Sequence, residues 1–246
     1  MSSLVAIICF VTGLLMCLTG ETAIAEGSQT NGDYLVLLHG MGRTALSMKL
    51  MEHYFTRRGY KVINLTYRSR LVSLDELADK YLDNLLKTGV TDHGKKVHFV
   101  THSLGGIIVR QYLSNHKIRN LGRVVMLAPP NQGSEIIDRL RANCLTRNFL
   151  GVTARELGTG SDSMPQKLGP VNFQCGIIAG DFSLNPVLSF MLSGPNDGKV
   201  TVASTRVDGM QDFLVVHGTH TWMMCKRSVM DQSLRFLQSG HFSQPN

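Results

Sequence analysis

The strongest constraint on how this chain folds is a rhythm. Short, largely apolar runs, shut off by glycine, proline or a polar loop, alternate with stretches of helical periodicity. The first run is Asp33-Tyr34-Leu35-Val36-Leu37-Leu38-His39-Gly40; the second covers 60–67, the third 96–101, and the fourth, 123–128, is halted by Pro129-Pro130. A run apolar at nearly every position, rather than at alternate ones, belongs to a strand covered on both faces, as in a parallel sheet. Between the runs, 44–58, 74–87 and 104–115 read as helices, the first two stopped by Gly59 and Gly89. Residues 173–179 and 212–216 add two strands, and 228–238 a closing helix. The expected fold class is therefore α/β: an open, mostly parallel sheet of about six or seven strands with helices on both faces.

From Asn131 to Gly169 the rhythm breaks into weak helical stretches near 134–141 and 145–157 and a Gly/Ser-rich piece. This predicts a cap or lid excursion around 133–169, passing over the carboxyl edge of the sheet. A chain of 246 residues suits one large domain, here 26–246, able to bury its core without metals or disulfides.

Residues 1–25 stand apart. They are almost continuously apolar from Leu4 to Leu18 and end in Ala23-Ile24-Ala25, a small-x-small triplet. The pattern reads as a secretory signal and implies export to the periplasm or beyond. The front end carries no Lys or Arg, so a retained N-terminal anchor competes. A lipoprotein site at Leu14-Leu15-Met16-Cys17 is the third reading, with bulky Met16 where a small residue is expected. Beyond the leader remain Cys144, Cys175 and Cys225, an odd count: one bridged pair with a spare thiol, or three free thiols.

Past residue 25 the chain holds 25 basic and 17 acidic residues, a formal charge of +8. Such an excess can favour an anionic membrane surface; the simpler reading is solubility. The basic residues are scattered without interleaved aromatics, so nucleic acid is not an expected partner. Gly40-Met41-Gly42 lacks the further residues of a phosphate loop, and no metal-ligand spacing stands out. No cofactor or metal is expected.

The chemistry concentrates where the third strand runs into a helix, at Thr101-His102-Ser103-Leu104-Gly105-Gly106. A serine on such a turn stands clear of the sheet, and small residues two before and two after it let strand and helix approach. Gly105 satisfies this; Thr101 replaces the usual glycine. A serine nucleophile needs a base, and the base an acid to orient it. Of the histidines after Ser103, His220 lies in a loop beyond the last strand, whereas His217 reads as structural, His116 ends a helix and His241 sits in the tail. Asp197, in the Asn196-Asp197-Gly198 turn, is the favoured acid over its rival Asp181. The backbone N–H groups of Leu104 and Met41 are the expected donors to a developing oxyanion. Leu104, Met41, Phe190, Met191 and Trp222 are candidate acyl-pocket residues.

Together with His39-Gly40-Met41-Gly42, Asn196-Asp197-Gly198-Lys199-Val200, His220-Thr221-Trp222-Met223-Met224 and Pro129-Pro130-Asn131-Gln132-Gly133-Ser134, this segment resembles the lipase/esterase-like branch of the α/β-hydrolase family. The resemblance implies hydrolysis of carboxylic esters, small or lipid, through Ser103, Asp197 and His220 by way of an acyl-enzyme. An acyltransferase using the same three residues is a second reading. A catalytically silent binding protein on the same fold is a third, from another class.

Overall fold

The computed structural model describes residues 32–90, 92, 94–146 and 150–243. The leader at 1–25, with its three readings, lies outside them. Six strands are present: β1 (Tyr34–Leu38), β2 (Lys61–Leu65), β3 (Val97–His102), β4 (Leu121–Leu127), β5 (Cys175–Gly180) and β6 (Asp212–Val216). All pair in parallel, in the order β2-β1-β3-β4-β5-β6. The expected fold class is the observed one.

Every residue of β1, β3 and β5 is buried, as runs without polar alternation require, while the edge strands β2 and β6 keep solvent contact. Alternate residues feed two cores. Val36, Leu38, Phe99 and Val124 pack on one face, against α2 (74–89) and α3 (Leu104–Asn115). Leu35, Leu37, Val100 and Val125 pack on the other, against α1 (Lys49–Thr56) and α9 (Arg227–Ser239). Phe55, Phe99 and Phe236 are fully buried, each contributing about 1.5–3 kcal/mol.

Four helices lie between: α4 (Glu135–Ala142), α5 (Val152–Arg155), α6 (Met164–Lys167) and α7 (Pro186–Phe190). A fifth, α8 (Val202–Thr205), precedes β6. The departures from expectation are local. The helix at 74–89 contains a π-helical stretch, Ala78–Asp83, whose wider turn keeps Leu74, Leu77, Ala78 and Leu82 all on the core. Within 145–157 the described residues hold the single turn α5 rather than a longer helix. Both α7 and α8 are too short to show periodicity. Each is opened by a side-chain cap, Asn185 accepting from Leu188 N–H and Thr201 from Ser204 N–H, both at 3.0 Å. The three cysteines are free thiols, Cys144 exposed and Cys175 buried, so no pair among them is bridged. Among the described residues no helix is long and apolar enough to cross a membrane.

Candidate active site

In an all-parallel sheet the carboxyl ends of the strands open onto one edge, and the loops leaving them share it. Here β1, β3, β5 and β6 send His39–Arg43, Ser103, Asp197 and His220 to that edge.

Ser103 occupies the turn between β3 and α3 with φ 53° and ψ −121°, a positive-φ conformation rare for a residue with a side chain. Its position is the N-cap of α3, yet its side chain makes no capping hydrogen bond. The hydroxyl is therefore not consumed by the helix. The N–H of Ser103 donates to Leu127 O at 2.8 Å and that of Gly106 to Ser103 O at 3.0 Å, pinning both sides of the turn. Gly105 is obligatory: a Cβ there would lie 2.8 Å from Leu38 O and 2.9 Å from Leu38 Cβ. Thr101 is fully buried, and Gly106 beyond it packs closely on Pro129, where a Cβ would come within 3.0 Å.

His220 and Asp197 are brought together. Nδ1–H of His220 donates to Asp197 Oδ2 at 2.7 Å, and both side chains are almost fully buried. The other carboxylate oxygen, Oδ1, accepts from the N–H groups of Lys199 (3.0 Å) and Val200 (2.8 Å). A backbone bond, His220 N–H to Asp197 O at 3.0 Å, ties the two loops again. Gly180 makes room for this closure, since a Cβ there would meet Gly218 O at 2.4 Å and Asp197 Cβ at 3.0 Å. The rival acid Asp181 instead pairs with exposed His217 at 3.2 Å.

His102, next to the serine, is buried and donates from Nε2 to the backbone carbonyl of His220 at 2.9 Å. Burial, reinforced by the nearby His220, Arg43 and Lys199, pushes its pKa well below the ordinary imidazole value, so it stays neutral. Its Nδ1 has no partner and packs against Gly40, where a Cβ would come within 2.8 Å. Residue 40 must be glycine for this ring to fit.

The loop after β1 is braced from below. His39 Nδ1–H donates to Gly40 O at 2.8 Å, and its Nε2 accepts from Tyr67 N–H at 3.3 Å. Burial lowers the pKa of His39, which keeps Nε2 available as an acceptor. The Tyr67 ring stacks on it at 4.0 Å and its hydroxyl donates to His39 O. Gly42 N–H is taken by Ser69 Oγ at 2.8 Å. The N–H groups of Met41 and Leu104 find no acceptor among the described residues, a pair of unused donors beside Ser103.

Ser103, His102 and His220 open into a cavity of about 410 Å³. Its walls are apolar and come largely from the 133–169 stretch, including Ile136, Ile137, Leu140, Leu150 and Leu157. That stretch is anchored by buried Arg110, which donates to Asn131 O, Asn131 Oδ1, Pro165 O and Gly169 O. Of the five residues expected to contact an acyl chain, only Met41 lines the cavity. Leu104 is sealed in the core beneath α2 and α3, and Phe190 is 91% exposed on α7. Sequence reasoning missed His102, Arg43, Arg70 and Lys199, all of which line it. Arg43 abuts a motif already singled out and Lys199 lies within one, and that placement was the available signal. Among the described residues no group of His, Cys, Asp or Glu is placed to hold a metal ion.

No curated protein matches this sequence. Solved structures do. The Bacillus licheniformis lipase BlEst2 superimposes in its propeptide form with a TM-score of 0.70 at 19% identity, over 91% of this chain and 53% of that one. This chain thus spans about half the length of that form. The mature form gives 0.68 at 19% identity, over 88% of this chain and 96% of that one. A metagenomic carboxyl esterase gives 0.62 at 18% identity, over 82% and 68%. At such identities the likeness is one of fold. A family model described as "Alpha/beta hydrolase family" matches residues 35–194, most of the chain, and with the six-stranded parallel sheet it establishes that this chain belongs to the α/β-hydrolase family.

Proposed function

We propose that the protein is a serine hydrolase of carboxylic esters, with Ser103 as nucleophile, His220 as general base and Asp197 as its orienting acid. The observation that carries this reading is the buried His220–Asp197 pair at 2.7 Å, sharing one apolar cavity with an uncapped serine on a strained turn. Ser103 Oγ adds to the ester carbonyl carbon while its proton passes to His220 Nε2. The tetrahedral oxyanion is received by Met41 and Leu104 N–H, each worth about 3–4 kcal/mol in comparable sites. The C–O bond then breaks, the alcohol leaves with the proton from His220, and water repeats the sequence on the acyl-enzyme. Ser103→Ala should abolish fluorophosphonate labelling and para-nitrophenyl ester cleavage while leaving the thermal transition near wild type. Undiminished turnover in that variant sinks the mechanism. The apolar leader adds the proposal that the enzyme works outside the cytoplasm, which N-terminal sequencing of exported protein would test.

A specific observation favours lipid-borne esters. Leu71, Val152 and Val187 are exposed, and each follows or precedes a cavity-lining residue, Arg70, Gly151 or Leu188. A rim of that kind suits contact with a membrane surface.

A further inference from the structure

The cavity around Ser103 has an asymmetric charge. Three cations line it, Arg43, Arg70 and Lys199, and no Asp or Glu does among the described residues. Such a one-sided set is unusual for an apolar pocket, because each charge loses hydration there unless a counter-charge faces it.

Their placement makes the imbalance sharper. Arg43 follows the Gly40-Met41-Gly42 loop and is half-buried. Lys199 follows Asp197 by two residues and reaches solvent through the open mouth of the cavity. Neither side chain forms an ion pair or hydrogen bond among the described residues. The nearest carboxylate, Asp197, is already committed to His220 and to two backbone N–H groups. Arg43 and Lys199 are close enough to repel each other: desolvation, followed by Arg43, lowers the pKa of Lys199, and Asp197 only partly opposes this. Arg70 lies at the same mouth, its Cδ 3.9 Å from where a Cβ on Gly42 would be.

We propose that Arg43 and Lys199, with Arg70 at the rim, form a subsite for an anionic group, a phosphate or a carboxylate, carried by the ester beside its scissile bond. This inference rests on the ester-hydrolase reading above and names its substrate class. The chemistry supports it from a second side. When Ser103 gives up its proton, His220 becomes an imidazolium in a cavity that already holds Arg43 and Lys199. A substrate anion seated between those cations offsets the added positive charge at that moment, so it assists the transition state as well as binding. Asp197 answers the imidazolium, but a neutral ester brings no counter-charge to Arg43 and Lys199. The anion can sit on the alcohol side, as in a glycerophosphate ester, or on the acid side, as in a dicarboxylic monoester; the subsite chemistry is the same.

The test compares kcat/KM within two matched pairs, each below the concentration at which aggregates form. One pair is decanoyl lysophosphatidic acid against monodecanoylglycerol, which differ only in the phosphate. The other is mono-para-nitrophenyl adipate against para-nitrophenyl hexanoate, which places a carboxylate on the acid side. The anionic member of at least one pair should be preferred about tenfold, and which pair shows it locates the anion. Lys199→Gln and Arg43→Gln should each lower that preference several-fold, while Lys199→Arg retains it. Lys87→Gln, whose partner is Asp83 on α2, should leave it unchanged. A wild-type ratio near one in both pairs, or a preference unmoved by both glutamine variants, overturns the subsite. If neutral esters still turn over and fluorophosphonate still labels Ser103 in that case, the hydrolase reading stands alone. Absence of both turnover and labelling overturns the two together.

Discussion

At the scale of single residues, the site is a set of groups each denied an alternative use. Asp197 illustrates this, since both carboxylate oxygens are spoken for by His220 and by backbone N–H groups. Asp197→Asn keeps the shape but cannot stabilise an imidazolium or hold the ring's tautomer, so kcat should fall about ten-thousandfold. Asp181→Asn, beside exposed His217, should stay within twofold of wild type in the same assay. A dead Asp181 variant with an active Asp197 variant would reverse the assignment. The three residues of the proposed triad were legible in the sequence because chain order and strand–turn–helix placement constrain them jointly. Arg43, Arg70 and Lys199 were not, because an isolated cation in a loop looks the same in sequence whether it faces solvent or a cavity.

Buried histidines on β3 add a pH dependence of known sign. His98 accepts Arg123 N–H at Nδ1, at 2.9 Å, and burial pushes its pKa down to about 4, with Asp33 opposing. In the unfolded chain the same group titrates near 6.5. As pH falls below 6.5 the unfolded chain takes up a proton that the folded one refuses, so stability is lost between pH 6.5 and 4. The loss is at most about 1.4 kcal/mol per pH unit for one group. His39 and His102 act in the same direction. Urea midpoints at pH 7, 6 and 5 should fall progressively, and less steeply in His98→Gln; an identical slope in that variant would refute the attribution.

At the scale of elements, the strands and the long helices between them were readable and the short helical turns were not. Burial on both faces leaves an uninterrupted apolar signature, and β6 falls on the expected residues, 212–216. The helices α5, α7 and α8 span four or five residues each, too few for a 3.6-residue period to show, and their caps compete with ordinary turn chemistry. The 133–169 stretch holds its place through side-chain anchors rather than through its own regularity: Glu156 accepts Leu74 N–H at 2.7 Å, Thr153 Oγ1 donates to Val72 O at 2.5 Å, and Arg110 ties its end. Arg110, its pKa pushed down to about 10 by burial, donates only to uncharged acceptors of that stretch. Arg110→Ala leaves several buried carbonyls unpaired and should cost about 3 kcal/mol in denaturant unfolding. A loss below about 1 kcal/mol would show that the segment's other contacts hold it without Arg110.

At the scale of the whole molecule, charge and apolar exposure coincide with the edge that carries the site. Phe190, Val187 and Leu184 are exposed on or just before α7, whose Leu188 reaches the cavity. Val187→Ser with Phe190→Ser should weaken sedimentation with anionic lipid vesicles several-fold while leaving cleavage of soluble short-chain esters unchanged. Equal vesicle binding would separate the patch from any membrane role. The net positive charge was visible in the composition, but its concentration at the cavity was not, because composition carries no direction.

The strand order has a consequence for how the molecule comes into being. Ser103 is made early, between two central strands, whereas His220 follows β6, the last strand of the sheet to be synthesised and an edge of it. Even the backbone carbonyl that receives the His102 ring belongs to His220. On the assignment proposed here, a growing chain carries its nucleophile through the synthesis of all the residues from 104 to 219 with nothing to activate it. Reactivity arrives in one step, with the last strand of the sheet, and reports that the whole sheet has closed.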